Sequence, residues 1–255
     1  MTRALRVEWW KLKRSPVALT ATLLMVVLLP LMAIGFYEVA QGEGPGALGQ
    51  KAGALIVGEG WEGFLGAVDQ IVAVAGFIGA GVVVAWVFGR EHSDRTFASL
   101  FALPVSRGTI ATAKFIVLGC WVAALAVLVV AMTALVGMVA SVGPLEARVI
   151  VPGLLWLLAI AISTGLLALS IGLVASVGRG YLPAIGALIV IVAIAQIAVL
   201  LGTGGWFPYT VPGLMAVAGT EGVPALSWIQ ITLVPVLSAV TILATWAWWR
   251  RTEAV

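Results

Sequence analysis

The chain has 255 residues, of which 62% are apolar and 10% charged, with a mean hydropathy of +1.14. A soluble domain carries roughly a quarter charged residues, so this composition cannot cover a water-facing surface and excludes a water-soluble globule. The net charge of +3 and pI near 9.4 reflect how charge is sorted across a bilayer, and no nucleic-acid partner is expected from them.

Residues 2–14 are predicted to form an amphipathic helix. Leu5, Trp9 and Leu12 recur at i, i+4 and i+7, while Arg6 and Lys13 lie on another face. Such a helix lies in the membrane interface, with Trp9 and Trp10 at headgroup level. It can anchor topology, and it can also brace a cytoplasmic partner.

Charge-free runs follow at 15–37, 70–89, 115–145, 149–178, 180–220 and 222–249. Each reaches the ~20 apolar residues a spanning helix needs. Spans are placed at 16–36, 64–89, 108–140, 150–178, 181–202 and 229–249. The third would be about 50 Å long at ~1.5 Å per residue. That exceeds the ~30 Å hydrocarbon core, so it should tilt, break or project into the cytoplasm. The first is read as an uncleaved span, because its apolar run is long and five more follow. Pro30, Pro183 and Pro235 should kink or start spans. Gly76, Ala80, Gly165, Gly172 and Gly186 would permit close helix contacts. Cys120 lies within the third span and reads as a small apolar packer.

Residues 37–63 read as a Gly-rich, acidic outer loop. Residues 203–228 hold one charge, Glu221, and are punctuated by Pro and Gly. They are read as a re-entrant outer segment with short helices near 211–219 and 223–229, and with Trp206, Phe207 and Trp228 at the outer boundary.

With both termini inside, the inner segments hold twelve Lys and Arg and the outer ones only Lys51 and Arg148. That is a strong positive-inside split. Seven of the eleven acids lie outside. The expected localisation is a bacterial cytoplasmic membrane, multi-pass, with cytoplasmic termini.

The main polar island is Gly89–Phe115. Ser93 or Asp94 can cap a new helix. Phe97, Leu100, Phe101 and Leu103 give it an apolar stripe, Pro104 stops it, and Ser106 caps the third span. The expected product is a helix about ten residues long, parallel to the membrane on its cytoplasmic face. Glu91 then sits at a helix C-terminus and Arg107 in a helix first turn, where the dipole disfavours each by ~0.3–1 kcal/mol. Pairing Glu91 with Arg107, or with Lys11 from the N-terminal helix, would offset the mismatch.

Here the residues resemble a family. The run Glu91, Thr96, Leu100, Pro104, Ser106, Arg107, Lys114 is similar to permease subunits of ABC-2 type transporters, the type V exporter-like transmembrane half. Glu8 to Ser15 is similar to the amphipathic start of those subunits, and the six-span layout matches over nearly the whole chain. The resemblance implies an all-α permease forming one domain over 1–255, paired with a second permease subunit as homo- or heterodimer, in contact with membrane lipid. It implies two copies of a separate ATP-binding subunit gripping the short helix after the second span, which by position makes residues 91–103 the coupling helix. Glu91, Phe97, Leu100, Phe101 and Arg107 would serve ATPase coupling, and Glu8, Lys11 and Arg14 would brace the N-terminal helix. No cofactor is expected in this chain, since ATP and magnesium would sit on the partner. No phosphate-loop sequence occurs in it.

The expected function is ATP-driven export of an amphiphilic or hydrophobic substrate such as a drug, peptide antibiotic or lipid-like molecule. An ion-coupled secondary transporter would need ionisable groups at span centres, where the charge-free runs have none. A membrane enzyme would need a reactive set, yet His92 is the only histidine and is read as solvated or capping. A non-transporting scaffold or immunity subunit would keep the same spans, and ATPase activity dependent on 91–103 would separate it from a transporter.

Overall fold

The computed structural model describes residues 1–42, 56, 58–94, 96, 105–220, 223 and 225–251. Their regular structure is entirely helical, with six helices long and apolar enough to cross a membrane. The first helix, α1 (Thr2–Lys13), precedes the spans α2 (Pro16–Gln41), α3 (Gly60–Ser93), α4 (Arg107–Val139), α5 (Ala147–Val177) and α6 (Tyr181–Leu200). A short α7 (Val211–Ala216) then precedes the last span, α8 (Trp228–Arg251).

Local chemistry sets the helix starts. The Ser15 hydroxyl accepts from the Ala18 N–H at 3.1 Å with Pro16 behind it, and Ser106 accepts from Thr109 at 3.2 Å, as a capping serine should. Pro30 cannot donate to the residue four back. The chain accommodates it by widening the preceding turn, Leu24–Leu28, into a π-helix. A second π turn at Val72–Gly76 in α3 packs against the first.

The spans differ in burial. In the most apolar stretch of each, 61% of α3 residues are buried, against 11% in α6 and 17% in α8. So α3 is the axis of the bundle, and α6 and α8 present wide apolar faces outward. Close approaches use the expected glycines in part. A Cβ on Gly172 would lie 2.8 Å from the Phe88 ring, whereas Gly186 faces open space. Gly89 was not among those expected. A Cβ there would meet the backbone nitrogen of Tyr181 at 2.5 Å, so only glycine lets α3 touch the turn that starts α6.

Several expectations need correction. Residues 91–93 continue α3, with Asp94 as its C-cap, so they are no part of a separate coupling helix. A dipole-compatible Arg90 and His92 in the last turn allow α3 to run on. The rest of the proposed helix, including Phe97, Leu100 and Phe101, lies outside the described residues. The outer loop begins later than expected, because α2 runs to Gln41 and the Tyr37 hydroxyl accepts from Gly60 N–H at 2.8 Å. The long α4 is a single unbroken helix of 33 residues. Span α5 is interrupted at Ser170, whose hydroxyl turns back to the Leu167 carbonyl at 2.6 Å.

The segment after α6 does turn inward. Tyr209 reaches Phe77, halfway along α3, with ring centroids 5.5 Å apart. It also shares a 2.8 Å hydrogen bond with Ser170 at the break in α5. The Trp156 indole donates to the Met215 carbonyl at 3.1 Å, tying α7 to α5. No separate helix forms at 223–229 among the described residues: 223 and 225–227 carry no regular structure, and Trp228 already begins the last span. Between this segment, α3 and α6 lies a cavity of about 360 Å³, apolar but for Gln70, Gln196, Tyr209 and Thr210. Irregular backbone at membrane depth is stable where it lines a cavity in this way.

Candidate functional site

At the end of the bundle that carries the connection 94–106, four charges meet: Glu8 and Lys11 of α1, Glu91 of the last turn of α3, and Lys114 of α4. The Lys114 ammonium donates to Glu91 Oε1 at 2.7 Å, to Glu8 Oε2 at 3.1 Å and to the Val87 carbonyl at 2.8 Å. All three of its protons are used. Lys11 closes the ring, 2.7 Å from Glu8 Oε1 and 3.3 Å from Glu91 Oε1.

The cluster is out of water. Lys114 is 0% exposed, Glu91 3% and Glu8 6%, while Lys11 retains 27%. Two positive and two negative charges sum to zero, which is what makes such burial tolerable. The Lys114 ammonium also lies 5.9 Å from the Phe88 ring centre and 5.8 Å from that of Trp249, within cation–π range. Trp249 is itself fully buried, and its indole donates to Ser176 at 2.9 Å. The cluster thus fixes α1 to the two spans that flank the connection, and its aromatic wall extends the contact to α5 and α8.

The sequence explains the placement. Glu8 stands between Leu5 and Leu12, on the packed face of α1. Lys114 stands in the α4 stripe Ala111, Phe115, Leu118, which is buried. A charge in the middle of an apolar stripe at helical spacing must find a buried partner, and here each finds the other.

Of the expected pairings for Glu91, the one with Lys11 forms and the one with Arg107 does not. Arg107 instead donates to the Arg250 carbonyl at 3.5 Å. The C-terminal carbonyls of α8 favour a cation there. Arg14, expected as a brace, lies outside the cluster with its guanidinium 4.4 Å over Trp10. From the sequence, Lys114 is only an inner charge and the end of the family pattern, and Asp69 is one of the seven outer acids. Both are buried within spans, Asp69 at 5% exposure. The two ends of the quoted sequence pattern, Glu91 and Lys114, are therefore in direct contact. Thr96 supports the first end, donating from its backbone N–H to the Glu91 carbonyl at 2.9 Å. Among the described residues no group of His, Cys, Asp and Glu is arranged to hold a metal ion.

Six helices long and apolar enough to cross a membrane, pinned by a buried charge cluster beside one inter-span connection, define a multi-span membrane protein. The profile of the ABC-2 family transporter proteins matches residues 4–196, and the chain belongs to that family. It is a multi-pass transport permease of an ABC system, a class that works with an ATP-binding subunit. The bacitracin transport permease protein BCRB of Bacillus licheniformis is 26% identical over 170 residues, covering 66% of this chain and 81% of that protein.

Proposed function

We propose that the chain is the membrane half of an ATP-driven exporter in a bacterial cytoplasmic membrane, with both termini and the connection 94–106 in the cytoplasm. Two ATP-binding subunits, which carry ATP and magnesium, drive two permease chains paired as a homo- or heterodimer. Each ATP-binding subunit grips the connection through Phe97, Leu100 and Phe101. The observation that carries this reading is the buried cluster. It binds α1, the end of α3 and the start of α4 into one rigid block, so thrust on the connection moves three helices together and is not lost in bending.

The cargo is an amphiphilic or hydrophobic molecule. The 360 Å³ cavity beside the re-entrant segment is mainly apolar with a few amide and hydroxyl groups, a lining that suits such a molecule better than a small ion. The permease of B. licheniformis, named for transport of the peptide antibiotic bacitracin, points the same way.

The test is the double variant F97D/L100D in the complex with its ATP-binding subunit. Transport is expected to fall at least tenfold, while ATP hydrolysis continues and the spans stay inserted. Transport at the wild-type level from a correctly inserted variant would remove the coupling role.

A further inference from the structure

Beside the charge cluster, but facing outward, α1 and the end of α3 enclose an open groove of about 900 Å³. Its lining is cationic and aromatic: Arg6, Arg14 and Arg90 with Trp10 and Trp86, and Asp94 as the one acid in it. Arg14 lies 4.4 Å over the Trp10 ring and Arg90 4.6 Å over the Trp86 ring. Stacking fixes each guanidinium plane and leaves its edge N–H groups pointing away from the ring. Among the described residues no carboxylate stands within ion-pair distance of Arg6, Arg14 or Arg90. Lys11, also in the lining, is taken by Glu8 and Glu91.

The groove continues into an apolar surface. Pro16 is part of its lining, and Leu19 and Leu23 follow on the same face of α2, 52% and 63% exposed. Trp10, at its rim, is 54% exposed. Three guanidinium groups at headgroup depth above a strip of bare leucine match a molecule with a phosphate at one end and acyl chains at the other. We propose that this groove binds an anionic phospholipid. The phosphodiester is held by Arg6, Arg14 and Arg90, and the chains lie along Leu19 and Leu23. A lipid seated there touches α1, α2 and α3 at once and holds α1 flat against the bundle.

The experiment is native mass spectrometry of the purified full chain with phosphatidylglycerol, phosphatidylcholine or inorganic phosphate added. Phosphatidylglycerol is expected to stay bound, phosphatidylcholine to be lost, and millimolar phosphate to displace nothing. Because each arginine near the surface contributes roughly fivefold to binding of an anionic lipid, R14Q/R90Q should weaken retention about thirtyfold. R6Q/R14Q, which leaves α3 untouched, should weaken it comparably should the first variant fail to fold, and R148Q at the opposite end should not. Equal retention of phosphatidylcholine, displacement by free phosphate, or unchanged retention in both double variants would overturn the proposal. So would loss of the ATP-binding subunit from R14Q/R90Q with phosphatidylglycerol still held, since the groove would then be a protein docking surface.

Discussion

Lys114→Met is expected to destabilise the protein by about 3–5 kcal/mol, the usual cost of removing one partner from a buried ionic group. The cause is not the loss of attraction alone. Glu8 and Glu91 would remain at 6% and 3% exposure with only Lys11 between them, and Lys11 sits at the wet edge. The two carboxylates would then repel across a site from which water is excluded. Thermal unfolding of the purified chain checks this, and a second step makes the assignment specific. Adding Glu91→Gln to Lys114→Met should recover part of the loss, because the added substitution removes an orphaned charge. Residues in contact are expected to couple in this way. Strictly additive losses would show that the ion pair contributes nothing.

The second large effect is expected at Trp249. Its side chain is fully buried, meets Phe88 edge-on at 6.1 Å between ring centres and donates to Ser176 at 2.9 Å. Trp249→Ala empties the space between α3, α4, α5 and α8 and should cost about 3–5 kcal/mol. It also strips the aromatic wall from Lys114. Trp249→Phe keeps most of the packing and loses the indole N–H, so its cost should be closer to 1 kcal/mol. Unfolding midpoints of the two variants separate packing from hydrogen bonding. Equal losses would mean that the bond to Ser176 dominates.

Much of the architecture was legible because the bilayer makes it so. Charges delimit apolar runs, and runs of the right length become spans. The boundaries that slipped did so where local rules were overridden. Gln41 and Tyr37 stay helical because the Tyr37 hydroxyl caps the backbone of the next span. Glu91 stays in α3 because a buried lysine outweighs an unfavourable helix dipole of ~0.3–1 kcal/mol.

The site was half legible. The pair of Glu91 with Lys11 was one of two expected, and Glu8 and Lys11 were expected to brace the N-terminal helix, but Glu8 was not linked to Glu91. Lys114 was in the quoted pattern yet its role was missed, since a lysine near the end of a span is ordinarily a topology signal that reaches for water. What distinguishes it is phase: it falls on the buried stripe with Ala111 and Leu118. Arg107 misled for the opposite reason. Its first-turn position called for an anion, and the Arg250 carbonyl in the last described turn of α8 accepts from it, from 143 residues away in sequence. No local pattern reports that contact. The close approach at Gly89 was invisible for the same reason.

The variant E8Q/E91Q/K114M removes charge from the lock while leaving no buried ion unpaired, so its fold should survive close to wild-type stability. In the reconstituted complex, the decisive quantity is substrate moved per ATP hydrolysed. If the cluster carries thrust from the connection to the spans, ATP hydrolysis should persist and the ratio should drop several-fold. A stable variant that moves as much cargo per ATP as the wild type would contradict the account.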